Sequence, residues 1–299
     1  MPVSDAETVR RGRAGLVVIG VVVAVMLIVG GVAVFAFNNL SSETRDHRVT
    51  DHVERLEVTN GSGDVSITAT DGDEISVRER LRWTGDKPEP KIDVDGDTLR
   101  LSAHDCRNFG PFGRCDVDYE IALPADTEVY IESGSGHVSV SGVSATHDIA
   151  ISSGDIHISD PTGDLTLHAS SGDMTVENMA VGSLTAEVSS GDMTLSGAAT
   201  NAELSASSGE IGARGLTVER LEAEVSSGDL DLLFDAAFAA VDIVAGSGSV
   251  NLLVPDDGTV YAVDLTVGSG DTNVSVAEGG QDHKVTVDIG SGDLEFHYG

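Results

Sequence analysis

The residues best suited to chemistry are acidic side chains that recur directly after a glycine. Between residues 152 and 232 the chain repeats a Ser-Ser-Gly-acid-apolar motif, whose acidic members are Asp155, Asp173, Asp192, Glu210 and Asp229. If the motifs stack, these carboxylates form a column, and calcium could relieve their repulsion by bridging oxygen atoms. The same residues also suit a sharp turn, because glycine adopts positive φ and Asp and Ser side chains accept nearby backbone N–H groups. The motif predicts a turn column first, with calcium binding as the alternative.

Catalytic patterns are not found among the other reactive side chains. Four histidines of the repeat region fall at unequal steps, without the paired spacing of a metal site, and we interpret them as surface strand residues: His137, His147, His157 and His168. The serines lie in turns, without a Gly-x-Ser-x-Gly elbow. Only three basic residues follow residue 133, too few for a lyase that handles acidic sugars. The sequence therefore predicts a protein that is not an enzyme and that has no cofactor unless calcium binds.

The spacing of the motif predicts the fold that positions these residues. Its central glycines recur from Gly136 to Gly292 at steps of about 18–22 residues, which is the signature of a solenoid. Apolar and polar residues alternate on both sides of each glycine, as strands require. Stacked coils would pair each strand with its copy about 4.8 Å away. We predict an all-β fold, a β-solenoid resembling a parallel β-helix, over residues 133–299.

Residues 53–132 also alternate, but they interrupt the regular array. One early copy of the motif is Gly61-Ser62-Gly63-Asp64, and its Gly63 lies 73 positions before Gly136, the glycine of the next copy. A solenoid must cover its first coil. We therefore predict a β-rich N-terminal cap over residues 53–132.

The cap contains the only two cysteines of the chain, Cys106 and Cys115. Outside the membrane thiols oxidise, so we predict a disulfide that closes the loop between them. This loop carries Phe109 and Phe112. Their rings either pack on the cap or form an exposed apolar tip that contacts a partner.

An uncharged apolar run over residues 14–37 precedes these regions. As a helix it would be about 36 Å long, enough to cross a hydrocarbon core of about 30 Å. Three arginines, at positions 10, 11 and 13, place residues 1–13 in the cytoplasm by the positive-inside rule. A cleaved signal peptide is the alternative, and both interpretations export the repeats. We predict a single-pass cell-membrane protein with a polar stalk over residues 38–52 and an extracytoplasmic C-terminal domain.

The charge of the chain excludes some partners. With 50 acidic and 17 basic residues, its formal charge is −33. Such a field disfavours nucleic acid and anionic membrane surfaces, because binding to both depends on Lys and Arg. The acidity is interpreted either as a device for solubility, for example in a high-salt habitat, or as a feature that binds cations.

A family resemblance begins at residues 119–125, which read Tyr-Glu-Ile-Ala-Leu-Pro-Ala. A second strand at 129–131 and the Ser-Gly-x-apolar copy at 134–140 follow. Over roughly residues 53–299 the chain resembles the putative adhesin domain family, a bacterial and archaeal group of largely unknown function. The resemblance implies a β-solenoid at the cell surface, often behind one transmembrane helix. It also implies, for some members, an association with cell-envelope stress systems, and it supplies no catalytic residues.

Two function classes follow from these observations. The first is a membrane-anchored, adhesin-like binding protein whose partner is a surface protein or a glycan. The second is a regulatory or structural cell-envelope protein that acts on membrane proteins. The chain also ends at Gly299, directly after a repeat and without a polar cap. An open last coil over residues 284–299 would expose strand edges, so we predict self-association through this C-terminal coil.

Overall fold

The computed structural model describes residues 40–103 and 113–299, which form strands joined by turns and contain no helix. The all-β prediction is therefore confirmed for this part of the chain. The strands, numbered along the chain, are β1 (Ser41–Val49), β2 (Arg55–Asn60), β3 (Val65–Thr70), β4 (Ile75–Trp83), β5 (Lys91–Asp95), β6 (Thr98–Ala103), β7 (Cys115–Pro124), β8 (Glu128–Ser135), β9 (Val138–Ser141), β10 (His147–Ser153), β11 (Ile156–Ser159), β12 (Leu165–Ser171), β13 (Met174–Ser190), β14 (Met193–Ser208), β15 (Ile211–Ser227), β16 (Leu230–Phe234), β17 (Ala240–Ser247), β18 (Val250–Val254), β19 (Tyr261–Ser269), β20 (Thr272–Val274), β21 (His283–Ser291) and β22 (Leu294–Tyr298).

Each coil has two strands, one in each sheet, and outside the coil of β6 and β7 these two strands meet at a glycine corner. The strands before the corner pair in parallel to form the front sheet, in the order β6–β2–β8–β10–β12–β13–β14–β15–β17–β21–β19. The strands after the corner form the back sheet, in the order β7–β3–β9–β11–β13–β14–β15–β16–β18–β22–β20. Strands β13, β14 and β15 are long enough to contribute to both sheets. The predicted β-solenoid is confirmed.

A thin core lies between the two sheets, with one layer of side chains for each coil. In β13, Leu184, Ala186 and Val188 are buried, while Glu187 between them is exposed. Each buried branched side chain contributes about 1.5–3 kcal/mol through removal of its surface from water. Because adjacent layers are only about 4.8 Å apart, small and branched residues fill the space and few aromatic rings are needed.

The Ser-Gly-Asp motif forms the corner between the sheets. Gly191, for example, has φ of +136°, which L residues rarely adopt. A Cβ atom there would lie 2.1 Å from the carbonyl oxygen of Gly172 in the preceding coil. The corner therefore requires glycine both for its backbone angles and for the close approach of neighbouring coils.

The predicted stalk over residues 38–52 was wrong in part, since residues 41–49 form β1. This strand pairs antiparallel with β4 over its whole length. Its sequence lacks apolar alternation because Arg45 and His47 occupy inward-facing positions beside Glu79 of β4. A strand with this pattern is not recognised by hydrophobic periodicity.

The predicted cap over residues 53–132 contains two regular coils of the solenoid. The coil of β2 and β3 is inserted between the coil of β6 and β7 and the coil of β8 and β9. Strands β1, β4 and β5 are the irregular part, and they pair antiparallel at this end. The chain thus returns over its own first coil to cover it.

The predicted open C-terminal coil is contradicted by the order of the strands. The last coil in sequence, β21 and β22, lies between the coil of β17 and β18 and the coil of β19 and β20. Residues 284–299 are therefore internal to the stack, and their strand edges are paired on both sides. The coil of β19 and β20 forms the end of the solenoid instead.

Several predictions fall on residues outside the described part of the chain. The apolar run 14–37 lies there, and within residues 40–103 and 113–299 no helix is long and apolar enough to cross a membrane. Cys106, Phe109 and Phe112 also lie outside the described residues. Cys115 begins β7 and is not a free thiol. The anchor, the disulfide and the aromatic tip remain predictions.

Candidate binding surfaces

The acidic residues of the corner form a column of hydrogen-bond acceptors between coils. The backbone N–H of Asp173 donates to Oδ1 of Asp155 at 3.0 Å, and that of Asp192 donates to Oδ1 of Asp173 at 3.0 Å. The N–H of Glu210 continues the column to Oδ1 of Asp192 at 2.9 Å. Farther along, Ser249 donates to Asp229 at 2.8 Å. Each Asp therefore satisfies the backbone of the next corner, as the turn interpretation expects.

This geometry limits what the column offers to a cation. One oxygen of Asp155, Asp173 and Asp192 accepts a backbone N–H, so the remaining oxygen of each is the one that faces solvent. No group of three His, Cys, Asp or Glu side chains that could hold a metal occurs within the described ranges. Calcium binding by the column of Asp155, Asp173, Asp192, Glu210 and Asp229 stays a prediction.

Substitutions at Asp173 should separate the two roles of the column. We expect Asp173→Ala to lower the free energy of unfolding by about 1–2 kcal/mol, because the N–H of Asp192 loses its acceptor. Asp173→Asn keeps a carbonyl oxygen and should change the free energy of unfolding by less than about 0.5 kcal/mol. Denaturant unfolding of both variants measures this. If both variants are destabilised equally, and calcium raises the free energy of unfolding of the wild type alone, the charge and the metal matter more than the turn.

His147 differs from the other histidines of the repeats and corrects the prediction that all four are surface residues. His137 is exposed, and His157 and His168 are partly exposed on outward faces. His147 is fully buried, between Val129 and Leu165 of the neighbouring coils. Neither of its ring nitrogens has a hydrogen-bond partner among the described residues. Burial lowers the pKa of His147 to about 4, and the Ala145 backbone opposes only part of this shift.

Replacing His147 with leucine should raise stability and flatten its pH dependence. The folded protein holds His147 neutral down to about pH 4, whereas the unfolded chain binds a proton near pH 6.5. The contribution of this residue to the free energy of unfolding therefore falls as pH drops from 6.5 towards 4, by about 3 kcal/mol in total. Denaturant unfolding between pH 7.5 and 4.5 should show a shallower loss in His147→Leu than in the wild type. The exposed-site control His157→Gln should follow the wild type, and parallel curves for His147→Leu and wild type would contradict the assignment.

The N-terminal end of the solenoid carries its basic residues in ion pairs. Arg78 lies between Asp46 and Glu120, with N–O distances of 2.7 and 3.3 Å. Arg82 contacts Asp118 at 2.8 Å. The hydrogen bonds that Arg78 donates to Asp46 and Glu120 raise the pKa of Arg78 above its usual value. The positive charges of this end are thus neutralised locally and are not presented as a basic patch.

On the outward face of the front sheet, acidic residues lie next to one another instead of in ion pairs. Glu203 is paired in register with Glu222, and Glu222 with Asp242, so three carboxylates occupy one row on adjacent strands. Glu224 occupies the next row and is followed by Val244, which is 54% exposed. We define these five residues as the front acidic face. Like charges in directly opposed positions destabilise a sheet, by roughly 0.2–1 kcal/mol for each pair.

Few positive charges compensate the front acidic face. From residue 133 onward the chain has 26 acidic and three basic residues, which are Arg214, Arg220 and Lys284. Within the described ranges none of these three forms a salt bridge. Arg220 and Lys284 occupy the adjacent row of the sheet, so the face is partly balanced but keeps an excess of negative charge that a cationic partner would neutralise.

Shallow grooves open on both sheets. One groove of about 480 Å³ on the front sheet is lined by Glu132, Ala150 and His168 with neighbouring small residues. His168 faces Glu187 at 3.1 Å at its edge. Another of about 240 Å³ on the back sheet is lined by Glu210, Gly212 and Arg214, among others. Both grooves are open, and among the described residues that line them no serine is hydrogen-bonded to a base. They suit contact with a surface better than enclosure of a substrate.

The front acidic face was missed by the sequence analysis, although a signal for it exists. Glu203, Glu222 and Asp242 each lie six residues before the corner glycine of their own coil. Once the glycines are aligned, equal offsets place these residues in one row of the sheet. The acidic residues that directly follow the glycine form the more obvious repeat in the sequence, and in the structure they serve the turns.

Comparisons with known proteins find one family and several solved structures to which this chain is similar. The model of a protein family described as Toastrack DUF4097 matches residues 53–297. A crystal structure described as that of a putative adhesin from Bacteroides fragilis is 17% identical, with a TM-score of 0.49, and the match covers 85% of this chain and 96% of that chain. A structure described as a putative lipid binding protein from Parabacteroides distasonis is 14% identical, with a TM-score of 0.46 and coverage of 85% and 97%. No functionally curated protein matches the chain.

Proposed function

The chain belongs to the Toastrack DUF4097 family, and from this premise we propose that it is a membrane-anchored, extracytoplasmic binding protein without catalytic activity. The observation that carries the proposal is the front acidic face, where Glu203, Glu222 and Asp242 are held in register with no basic residue among them. An arrangement that opposes folding and is exposed to solvent is expected where a partner supplies the compensation.

The proposed partner is a surface protein or glycan that presents cationic groups. Charge pairs across such an interface steer the encounter and select the partner, and they weaken as ionic strength rises. Val244 provides an exposed apolar contact beside the carboxylates. The proposed anchor, residues 14–37, would hold the solenoid at the outer side of the cell membrane.

Proximity labelling from the full-length chain in its own cells tests the proposal. We expect the wild type to label a defined set of partners, and the double variant Glu203→Gln with Glu222→Gln to lose most of that labelling. The control pair Glu177→Gln with Glu295→Gln removes the same charge from exposed positions outside the front acidic face. Identical labelling by both double variants would overturn the assignment of the face.

The identity of the labelled proteins decides between the two function classes. Enrichment of cell-wall components or of proteins from neighbouring cells supports adhesion. Enrichment of membrane proteins of the cell's own envelope-stress systems replaces adhesion with the regulatory alternative. A set no different from that of an unrelated anchored protein would contradict both.

A further inference from the structure

The end coil of the solenoid, formed by β19 and β20, has one unpaired side. Among the described strands, β19 pairs only with β21, and β20 pairs only with β22. The other edge of β19 is covered only at its first residue, where Tyr261 contacts residues 277–279. From Val263 onward the backbone N–H and C=O groups on that side have no strand partner. Such an edge is a template for the addition of another strand.

The inward side chains of this coil are incompletely covered. Val263, Leu265 and Val267 are only partly buried, although they pack against the core. Their counterparts in the next coil are almost fully buried: Val285 at 0%, Val287 at 1% and Ile289 at 0% exposure. One further strand on β19 would give the end coil the same cover as the coil beside it. The apolar layer is therefore one strand short of completion.

The opposite end of the molecule protects the edge of its back sheet, although β5, the edge strand of the front sheet there, has partly buried Ile92 and Val94. There β1 closes the back sheet, and its inward-facing positions include Arg45 and His47, which contact the buried Glu79. Inward-pointing charges on an edge strand prevent the pairing of further strands. Strand β19 has valine and leucine at the inward positions and lacks that protection.

Charge identifies the occupant of the free edge. Residues 255–282 carry no lysine or arginine and six acidic side chains: Asp256, Asp257, Asp264, Asp271, Glu278 and Asp282. A second copy of this end would bring two sets of these acids together, and like charges oppose such pairing. A strand with apolar residues on one face would cover the exposed core. Basic residues on its other face would pair with the six acidic residues.

We propose that β19 is a docking strand that accepts an extended segment of another protein, with apolar residues alternating with lysine or arginine. The segment adds to the front sheet by backbone hydrogen bonds. Its apolar side chains cover Leu265 and its neighbours, and its basic side chains face the acidic residues of the segment 255–282. This edge is not part of the front acidic face, so the docking proposal can be wrong while the proposed function is right.

A synthetic peptide of alternating lysine and valine, eight residues long, is the probe. Its binding to the full-length chain in zwitterionic detergent is measured by fluorescence anisotropy, with a peptide of the same composition in two blocks as the sequence control. We expect the alternating peptide to bind at least tenfold more tightly than the block peptide. Binding should weaken at least tenfold in Leu265→Lys and should be unchanged in Leu40→Lys, which makes the same substitution at an exposed position beside β1, at the other end of the solenoid.

Hydrogen exchange on the wild type supplies a readout that does not depend on a variant. Added peptide should slow amide exchange in β19 and leave β13 unchanged. Three results would overturn the proposal: equal binding of both peptides, equal effects of the two lysine variants, or no added protection in β19. A wild-type dimer that Leu265→Lys dissociates without any peptide would assign the edge to a second copy instead.

Discussion

Replacing Gly191 with alanine is expected to lower the free energy of unfolding by about 2–6 kcal/mol. The residue has φ of +136°, a conformation whose strain costs an L residue about 1–3 kcal/mol. The new Cβ would also lie 2.1 Å from the carbonyl oxygen of Gly172, and relief of that overlap requires the coils to move apart. Overpacking of this kind costs a further 1–3 kcal/mol. Denaturant unfolding followed by circular dichroism measures the change.

Gly279 is the matched control for Gly191. It has φ of +108°, but a Cβ there would have no heavy atom within 4 Å. Gly279→Ala should therefore show only the strain of the backbone, about 1–3 kcal/mol. If the two variants lose the same stability, the close contact between stacked corners is not what makes glycine necessary in the motif.

Deletion of residues 283–299 is expected to disrupt more of the fold than the larger deletion of residues 255–299. The shorter deletion removes β21 and β22 from inside the stack, and these are the strands with which β19 and β20 pair among the described residues. It also removes Phe296, whose ring packs against Tyr261 at 5.3 Å between centroids. Residues 255–282 would then remain as an unfolded apolar segment attached to an exposed coil. The longer deletion ends the chain cleanly at the edge of β17 and β18.

Limited proteolysis and light scattering compare the two truncated chains. The chain without residues 283–299 should be cleaved within residues 255–282 and should aggregate. The chain that ends at Val254 should resist cleavage and keep a lower mass in solution. A protected β19 in the first chain would show that the end coil folds without the inserted coil, contrary to the strand order described above.

The repeated motif was sufficient to predict the solenoid, because glycine spacing and two-residue alternation are local properties of the sequence. Glycine spacing and alternation do not determine the order in which the coils stack in space. Strands β21 and β22 carry the same corner motif as β19 and β20, so nothing local distinguishes an inserted coil from a terminal one. The steps from Gly248 to Gly270 and from Gly270 to Gly292 are longer than the earlier ones after Gly136, and this is the one local sign that the last coil is inserted.

Individual side chains were harder to place for a related reason. His147 takes an inward position in β10, but a polar residue there reads as an outward one in an alternating pattern. Glu79 is likewise buried in β4, where Arg45 and His47 of β1 supply its partners. These pairings depend on strands far apart in sequence, so period-two alternation alone misassigns them.

Thiol labelling of intact cells tests the export of the solenoid, on which the proposed function depends most directly. The full-length variant Ser171→Cys places a thiol on an exposed corner, and Ser4→Cys places one in the predicted cytoplasmic tail. A membrane-impermeant maleimide should label Ser171→Cys in intact cells, leave the wild type unlabelled, and label Ser4→Cys only after the cells are permeabilised. Labelling of Ser171→Cys only after permeabilisation would contradict an extracytoplasmic binding protein.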